Sequence, residues 1–362
     1  MKSRAIVQTA PKKLEMRELR VPDVTDDTAI LRVEACGICG SDLEQYDGVL
    51  PVRLPLVPGH EPLGVIEKIG DTAARRWGVD VGDRVAVEAL IPCGHCRDCR
   101  SGRYQLCRSR GGLFGYSYIP LEVGSGLWGA YADYMVLDPQ TIVHRIDASL
   151  PPGLAVLFNP LGAGFRWAVE VPQTGPGDTV LILGPGQRGL ASVIAARAAG
   201  ADRIFVTGLE RDRAKLDLAL AFGADAAIDI DNEDVARRVK ELTDGRGADV
   251  VVEVSANAPE PVADALHYVA PGGRVVLAGV KGFVGVPDFV SDWIVVKEIT
   301  VRGVLGVTSR SYRSAIALIE SGTVALESMH THEFPLEDAE EAILTLGGRT
   351  AGTPSIHSCL RP

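Results

Sequence analysis

Residues 179–199 read TVLILGPGQRGLASVIAARAA, and this stretch decides the fold. The apolar run Thr179–Leu183 is typical of a buried strand, and a helical composition follows the glycines. Gly184, Gly186 and Gly189 allow a tight turn and a close backbone approach to a pyrophosphate at the helix N-terminus. Gly-x-Gly-x-x-Gly alone is a weak signal, but this strand–turn–helix context predicts a dinucleotide-binding site.

The chain beyond this stretch alternates short apolar runs with helical patterns. The predicted strands are Arg203–Thr207, Ala226–Asp229, Val250–Val254 and Arg274–Ala278. The predicted helices are Arg211–Phe222, Val235–Leu242 and Pro259–Tyr268, with Ser311–Ser321 and Leu336–Thr345 further on. Such alternation indicates βαβ units, and therefore an α/β fold with a doubly wound parallel sheet.

The N-terminal part has a different texture. Residues 1–35, 57–90 and 130–146 contain short runs rich in β-branched residues and punctuated by glycine. This pattern favours antiparallel strands in a barrel-like β domain. Residues 91–127, rich in Cys, Gly, Arg and Ser, are predicted to form a lobe of loops.

Residues 93–107, which we call the cysteine lobe, hold four cysteines in the pattern C-x2-C-x2-C-x7-C. Four thiolates complete a tetrahedral zinc shell with bonds of about 2.3 Å and leave no position for a substrate, as in structural sites. The alternatives are reduced surface thiols, which would be open to oxidation, and an iron–sulfur cluster. We expect a structural zinc bound by Cys93, Cys96, Cys99 and Cys107.

A second constellation lies nearer the N-terminus. Cys39 stands in the sequence GICGSD, and His60 and Glu61 follow Gly59. One thiolate, one imidazole and one carboxylate leave the fourth zinc position open, as a catalytic site requires. From the spacing alone the competing interpretation stays open, namely that the cysteine and the histidine are ordinary core residues.

The composition disfavours several classes of function. The 362 residues carry 37 Lys and Arg against 47 Asp and Glu, a net charge of −10, so nucleic acid and anionic membranes meet no basic excess. The chain contains no run of 18 apolar residues, and the sequence MKSRAIVQTAPKK has no apolar signal core. Seven cysteines, an odd number, disfavour a disulfide framework. We expect a cytoplasmic protein.

Together and in this order, the three constellations resemble the zinc-dependent medium-chain alcohol and polyol dehydrogenases over nearly the whole chain. The resemblance implies a GroES-like, β-rich catalytic domain formed by residues 1–160 and 307–362. It implies a doubly wound Rossmann domain over residues 161–306. It also implies two zinc ions per chain, one catalytic and one structural, and a nicotinamide dinucleotide.

The resemblance also assigns roles at the catalytic zinc. Cys39 and His60 match two ligands, and Glu61 matches the adjacent glutamate, which binds zinc directly in polyol-type members and transiently in others. Ser41 matches the hydroxyl that begins the proton relay, and Glu44 stands where many relatives have a relay histidine. The implied reaction moves a hydride to the nicotinamide after zinc has lowered the pKa of the substrate hydroxyl.

Asn159 departs from the family pattern, which usually has Cys, Glu or Asp at this position. An acid at 159 would add a third negative charge to those of Cys39 and Glu61, and a net negative site opposes an alkoxide. We predict that Cys39, His60 and Glu61 bind the metal, while Asn159 hydrogen-bonds a zinc-bound water or the substrate oxygen. The open alternative is that Asn159 only caps the following helix.

The nucleotide preference depends on the residues after the second strand of the Rossmann domain. Relatives that prefer NAD have Asp where this chain has Gly208, and its loss removes the repulsion of a 2′-phosphate. Arg211 and Arg213 are able to meet that phosphate, whereas Glu210 is able to take the ribose instead; all three are equally compatible with a solvated turn. We expect NAD, with NADP as the alternative. The predicted cofactor-binding residues are Gly184, Gly186, Gly189, Gly208, Glu210 and Arg211.

By similarity, Ala89, Leu90, Trp128 and Tyr131 lie near the substrate. They are mostly apolar, and Ala89 leaves room where relatives can carry a larger ring. This favours a bulky, alicyclic secondary alcohol that is oxidised to its ketone, with a polyol or sugar as the alternative.

Two other functions compete with this one. A metal-free quinone or enoyl reductase would leave Cys39, His60 and the cysteine lobe without a purpose. A non-catalytic NAD(P)-binding protein is favoured only by Asn159 and Glu44.

By resemblance we also expect a homodimer or homotetramer, paired through the sheet edge near Ile299–Val304, where an unpaired strand invites symmetric addition. The two imidazoles of His330-Thr-His332 are able to chelate a metal, but the favoured prediction is that this sequence lies on a solvated turn.

Overall fold

The computed structural model describes residues 1–110, 114–352 and 355–362. The chain divides into two compact units, Met1–Asn159 with Ile316–Pro362, and Pro160–Ala315. The predicted domain limits, after residues 160 and 306, stay a prediction, because compact packing by itself does not define where a functional domain ends.

The first unit is built mainly on antiparallel strands. Its strands are β1 (Lys2–Ala10), β2 (Lys13–Arg20), β3 (Ala29–Ile38), β4 (Pro62–Ile69), β5 (Arg84–Val87), β6 (Tyr134–Leu137), β7 (Val143–Arg145), β14 (His330–Pro335) and β15 (His357–Arg361). The main sheet has the order β14-β15-β3-β4-β5-β7, with β6 also paired to β3. β1 and β2 form a separate hairpin, and β14 and β15 are parallel.

Apolar residues on one face of this main sheet form the core of the first unit. Leu31, Ile66 and Val85, from three neighbouring strands, are fully or almost fully buried there. The helices of this unit are α1 (Gly40–Asp47), α2 (Asp71–Trp77), α3 (Arg97–Arg100), α4 (Pro152–Ala155) and α12 (Ala339–Leu346). Two further helices, α5 (Phe158–Gly164) and α11 (Ser309–Ser321), run across the division between the units.

The second unit contains the predicted parallel sheet. Its strands are β8 (Thr179–Leu183), β9 (Arg203–Gly208), β10 (Ala226–Asp229), β11 (Ala248–Glu253), β12 (Val269–Leu277) and β13 (Thr300–Gly303). Its helices are α6 (Gln187–Ala198), α7 (Arg213–Ala221), α8 (Val235–Leu242), α9 (Glu260–Tyr268) and α10 (Asp292–Val296). The strand order is β10-β9-β8-β11-β12-β13, so the order reverses between β8 and β11, where doubly wound folds bind their ligands.

The prediction that His330 and His332 lie on a solvated turn is wrong. Both residues belong to β14, which pairs in parallel with β15. The partner strand follows about 27 residues later, and no local pattern reveals so distant a pairing. Among the described residues, no helix is long and apolar enough to cross a membrane.

Candidate active site

The pairing of β3 with β4 brings the ends of two segments together. Cys36 lies opposite Pro62 in this antiparallel pair, so Cys39, three residues further on, meets the two residues that precede β4. Those residues are His60 and Glu61, which are buried. Two short segments about twenty residues apart in sequence thus share one edge of the sheet.

Possible metal-binding atoms gather around Nε2 of His60. Cys39 Sγ lies 3.3 Å from this nitrogen, and Glu61 Oε1 lies 3.8 Å from it. Ligand atoms of a tetrahedral zinc stand roughly 3.3–3.8 Å apart, given bonds of 2.0–2.3 Å. The separations of Cys39 and of Glu61 from His60 each fit a pair of zinc ligands. Glu61 is not in the group of side chains whose possible ligand atoms all lie within 4.8 Å of one another, so its place as the third ligand stays a prediction.

Asp42 holds the opposite side of the imidazole. Its Oδ1 lies 3.3 Å from Nδ1 of His60, and its Oδ2 accepts a hydrogen bond of 2.9 Å from the backbone N–H of Cys39. The donor atoms of Cys39, Asp42 and His60 lie within 4.8 Å of one another. Because a ligating histidine directs one nitrogen to the metal and the other to an orienting partner, this geometry suits Asp42 to the orienting role.

The surroundings of His60 are strongly anionic. Burial would lower the pKa of His60, but the Asp42 carboxylate and the Cys39 thiolate raise it well above 6.5. Surroundings that favour a buried positive charge also suit a metal cation.

Gly37 makes room for Glu61. A Cβ atom added at Gly37 would collide with Oε2 of Glu61 and would lie 3.2 Å from its Cβ. The Gly37 N–H donates a 3.2 Å hydrogen bond to the Glu61 carbonyl, so the two backbones are in close contact. Because Glu61 is fully buried, its carboxylate is fixed beside His60 by packing.

The three other predicted catalytic residues have different positions. The Ser41 hydroxyl lies 2.7 Å from Cys39 Sγ and 3.5 Å from Nε2 of His60. Glu44 follows Ser41 by three residues on α1, and burial raises the pKa of its carboxyl. Asn159 is buried in the first turn of α5. Ser41 therefore joins the cluster, and the roles of Glu44 and Asn159 stay predictions.

The cysteine lobe brings its four thiols together. Their sulfur atoms all lie within 4.8 Å of one another, and the pairs Cys93–Cys99 and Cys96–Cys107 are each 3.9 Å apart. Four sulfurs in a tetrahedral zinc shell stand roughly 3.8 Å apart. The lobe therefore fits a closed zinc site.

Hydrogen bonds already stabilise a thiolate in this lobe. The Ser109 hydroxyl donates to Cys93 Sγ at 3.0 Å, and the backbone N–H of Cys96 donates to the same sulfur at 3.3 Å. The hydrogen bond from the Ser109 hydroxyl is the largest of the influences that lower the pKa of Cys93 to about 5. Burial raises the pKa of Cys99 to about 12, so these thiols do not all ionise unless a cation joins them.

The glycine-rich turn has the geometry that its sequence predicts. Gly184 has a φ of +107°, which favours glycine, and Gly186 stands just before α6 in an extended conformation. A Cβ atom at Gly189 would collide with the carbonyl oxygen of Gly184, so α6 packs tightly on the turn. The positive end of the α6 dipole therefore lies at this turn, where it favours an anion.

A cavity of about 490 Å³ lies beside this turn, at the carboxyl ends of β8, β9 and β11. Its lining includes Gly184 and Gly186 from the turn, Gly208 at the end of β9, and Arg211 and Lys215 beyond it. Glu210, although predicted to bind cofactor, is exposed and is not among the residues that line this cavity. Of the three cofactor-binding residues predicted at the end of β9 and after it, Gly208 and Arg211 line the cavity and Glu210 does not.

Comparison with known proteins gives the family. Residues 25–148 match the alcohol dehydrogenase GroES-like domain, and residues 189–321 match the zinc-binding dehydrogenase family. A Mycobacterium tuberculosis H37Rv protein named "Probable alcohol dehydrogenase adh" is 47% identical over 361 residues, which cover 99% of this chain and 98% of that protein. The chain belongs to the zinc-dependent medium-chain alcohol dehydrogenase family.

Other similar proteins include a polyol dehydrogenase and a dehydrogenase crystallised with NADP. The erythritol/L-threitol dehydrogenase of Mycolicibacterium smegmatis is 33% identical over 354 residues, which cover 94% of this chain and 93% of that one. A zinc-binding dehydrogenase from Sinorhizobium meliloti 1021, crystallised with NADP, is 26% identical with a TM-score of 0.86 and covers 100% of both chains. The prediction of an alcohol or polyol dehydrogenase, an oxidoreductase that uses zinc and NAD(P), is confirmed at this level.

Sequence reasoning missed two residues of the site. The first is Asp42, whose spacing from Cys39 is that of a capping box, and the structure forms that box. Tyr118 comes from the predicted lobe of loops. It is close enough to His60 and Cys39 to interact electrostatically with both, and burial raises the pKa of its hydroxyl. No motif in the sequence points to Tyr118.

Proposed function

We propose that this enzyme interconverts a bulky secondary alcohol and its ketone at the cluster of Cys39, His60 and Glu61. The observation that carries the proposal is the geometry around Nε2 of His60, with Cys39 Sγ at 3.3 Å and Glu61 Oε1 at 3.8 Å. These three side chains would hold the catalytic zinc. When bound there, zinc supplies the Lewis acidity that acidifies an alcohol hydroxyl.

The chain's own residues divide the remaining work. The Ser41 hydroxyl, 2.7 Å from Cys39 Sγ, is placed to take the substrate proton through a hydrogen bond. Glu44 lies three residues further on the same helix, and its burial-raised pKa brings the carboxyl closer to the pH at which it can pass a proton on. Asp42 fixes the orientation of His60. Asn159 would hydrogen-bond the substrate oxygen without binding the metal.

The side chains predicted to face the substrate support an apolar alcohol. The indole N–H of Trp128 donates to the Val123 carbonyl at 2.7 Å, so it is already engaged. Tyr131 is fully buried, and its hydroxyl has no hydrogen-bond partner in the described part of the chain. A polyol brings several hydroxyls that each need a partner, and one tyrosine cannot serve them all.

The test is a panel of substrates for the zinc-loaded enzyme, followed at the nicotinamide absorbance. The panel contains alicyclic and branched secondary alcohols, their ketones, and polyols such as erythritol and sorbitol. We expect kcat/KM to be highest for the alicyclic alcohols. A higher kcat/KM for a polyol would replace the proposed substrate class with that alternative, and the absence of turnover on every substrate would overturn the proposal.

The rim of the cavity supports NADP over NAD, the reverse of our expectation from sequence. That expectation relied on Glu210 taking the ribose, but Glu210 is not among the residues that line the cavity, whereas Arg211 is. Three carboxylates also line it: Asp212 is neutralised by Lys215 at 2.8 Å, while Glu260 and Asp264 stand on α9, away from the turn that carries Arg211. The absence of a carboxylate at Gly208 then leaves a positive side chain facing the position of a 2′-phosphate.

The nucleotide proposal is tested by kcat/KM with each nucleotide. We expect NADP to be preferred by about tenfold or more, since one charge-assisted hydrogen bond is worth roughly 1.5–3 kcal/mol. Arg211→Ala should reduce the preference, and the matched variant Arg213→Ala, on the other side of Asp212, should leave it unchanged. A preference for NAD in the unmodified enzyme would restore the expectation from sequence.

We also propose that two copies pair through the edge strand β13. Among the described residues, β13 pairs only with β12, which leaves its other edge open. Exposed apolar side chains cluster in the neighbouring segment; they include Val280, Phe283, Val284, Val290, Val295 and Val296. A second copy would cover them and pair the edge. Light scattering should give a dimer or tetramer, and a monomer at micromolar concentration would contradict this.

All seven cysteines are free thiols in the structure, in keeping with a reducing compartment. We therefore retain the cytoplasm as the proposed location.

A further inference from the structure

A cluster of ligating side chains lies outside both proposed zinc sites, on the strand pair β14–β15. It consists of His330 and Glu333 on β14, and of His357 and Cys359 on β15, and we call it the β14–β15 cluster. His330 lies opposite His357, and Glu333 lies opposite Cys359. Imidazole, carboxylate and thiolate are all zinc ligands, and none of the roles proposed above uses these four.

An irregularity in β14 creates the cluster. In a regular strand, residues three apart, such as His330 and Glu333, point to opposite faces. The register shifts between His330 and His332, so that Thr331 is an additional residue in β14. The shift returns Glu333 to the face of His330, which is also the face of His357 and Cys359, because those two are separated by one residue.

The distances in this cluster resemble those around His60. Nε2 of His330 lies 3.2 Å from Glu333 Oε1, and donor atoms of His330, Glu333 and Cys359 all lie within 4.8 Å of one another. Nδ1 of His330 lies 2.9 Å from Nδ1 of His357. Nε2 of His330 thus faces the Glu333 carboxylate, and Cys359 belongs to the same group, while His357 holds the other nitrogen, as Asp42 holds that of His60.

Space has been left beside these ligands. A Cβ atom at Gly153 would collide with Nε2 of His330 and would lie 2.7 Å from Glu333 Oε1. The side chain of His330 is 12% exposed and that of Glu333 is 44% exposed, so an ion can enter from solvent. Arg361 contacts Oε2 of Glu333 at 3.1 Å, which leaves Oε1 to face His330.

The geometry points to a third metal site, in which His330 Nε2, Glu333 Oε1 and Cys359 Sγ bind a zinc ion and His357 positions His330. A borderline-soft cation is required, because the set combines nitrogen, oxygen and sulfur. Three protein ligands leave one position for water. A zinc ion here would link β14 to β15 near the C-terminus of the chain.

The site is tested by counting zinc after equilibrium dialysis of the zinc-loaded enzyme against micromolar Zn²⁺. The wild type should bind one more zinc per chain than His330→Gln or Cys359→Ser. The matched control is His332→Gln, whose imidazole stacks on Phe334 outside the cluster and whose loss should not change the count. Added zinc should also raise the Tm of the wild type and the control, but not that of the other two variants.

The count is a difference of one zinc, so it does not depend on turnover or on whether the proposed catalytic site is correct. Equal counts in wild type and in both cluster variants would overturn the third site. If Cys359→Ser does not fold, Gly153→Ala replaces it, because a methyl group there fills the space between His330 and Glu333. A third zinc that persists in His330→Gln and Gly153→Ala would equally overturn it.

Discussion

The cysteine lobe and the cluster around His60 offer metal ligands in opposite ways. In the lobe, four identical ligands come from one segment of fifteen residues, with sulfur pairs 3.9 Å apart. Around His60, three different ligands come from two segments that only the pairing of β3 with β4 brings together. The first arrangement is fixed by local sequence, whereas the second exists only when the sheet has formed.

The charges differ as well. Four thiolates around a divalent zinc leave a net charge of about −2 and no open position. One thiolate and one carboxylate with a neutral imidazole balance the ion, and the open position can then accept an anionic oxygen. A closed anionic site suits a structural ion, and an open neutral one suits catalysis.

The contrast between a structural cysteine lobe and a catalytic His60 cluster would be wrong if the enzyme could lose His60 without losing turnover. His60→Ala removes the central ligand, whose Nε2 lies 3.3 Å from Cys39 Sγ and 3.8 Å from Glu61 Oε1. We expect the chain to lose one zinc and kcat/KM to fall by about 10³-fold or more, which corresponds to about 4 kcal/mol. Zinc analysis and steady-state kinetics check this; retention of two zinc ions with reduced turnover would mean that His60 acts on the substrate instead.

The ligand assignment is sharpened by comparing Glu61→Ala with Asn159→Ala. Glu61 is held against His60 by packing, so its loss should remove about one zinc per chain and reduce kcat by about 10²-fold. Asn159→Ala should keep both zinc ions and lose about tenfold in kcat. Zinc content measured by mass spectrometry separates the two residues, and the opposite result would make Asn159 the ligand.

Asp42→Asn tests whether the orientation of His60 by Asp42 contributes to zinc binding and turnover. The amide keeps the size of the side chain but loses the charge that faces Nδ1 of His60 at 3.3 Å. We expect both zinc ions to remain at saturating metal, with zinc affinity or kcat/KM lower by about 10–100-fold. The check is a titration with a zinc chelator, in which unchanged release of zinc together with unchanged kcat would exclude the orienting role.

The smallest effect on turnover is expected in the cysteine lobe. Cys99→Ser opens a site that has no place for substrate, so kcat per folded chain should change by less than about threefold. One zinc should be lost and the Tm should fall by about 10 °C, as expected for a loss of a few kcal/mol. Zinc content and thermal unfolding check it, and an unchanged zinc content would remove the assignment of this lobe.

Local sequence was sufficient where one segment carries the whole signal. β8, β10 and α8 begin and end at the predicted residues, because their apolar periodicity and flanking turns are local. The cysteine lobe belongs to the same category, since its spacing alone brings the sulfurs together. Around His60 the sequence identified candidate ligands by resemblance, and the register of β3 and β4 was needed to bring them together.

Local sequence did not predict the structure where a residue distant in the chain determines it. His330 belongs to a strand because β15 pairs with it, and the irregularity at Thr331 has no signature in the residues themselves. Glu210 looked equivalent to Arg211, since both are charged residues in one turn, yet only Arg211 lines the cavity. The orientation of exposed turn residues follows from backbone geometry, which composition does not encode.

Gly208 and its neighbour Pro185 constrain how this enzyme can change. A Cβ atom at Gly208 would lie 2.7 Å from Cγ of Pro185 and 3.0 Å from Leu216. A proline ring moves little, so an aspartate at 208 cannot be introduced alone without displacing the turn that carries the phosphate-binding glycines. We therefore expect the effects of substitutions at the two positions to depend on each other. A library designed to change the nucleotide preference should vary Pro185 together with Gly208.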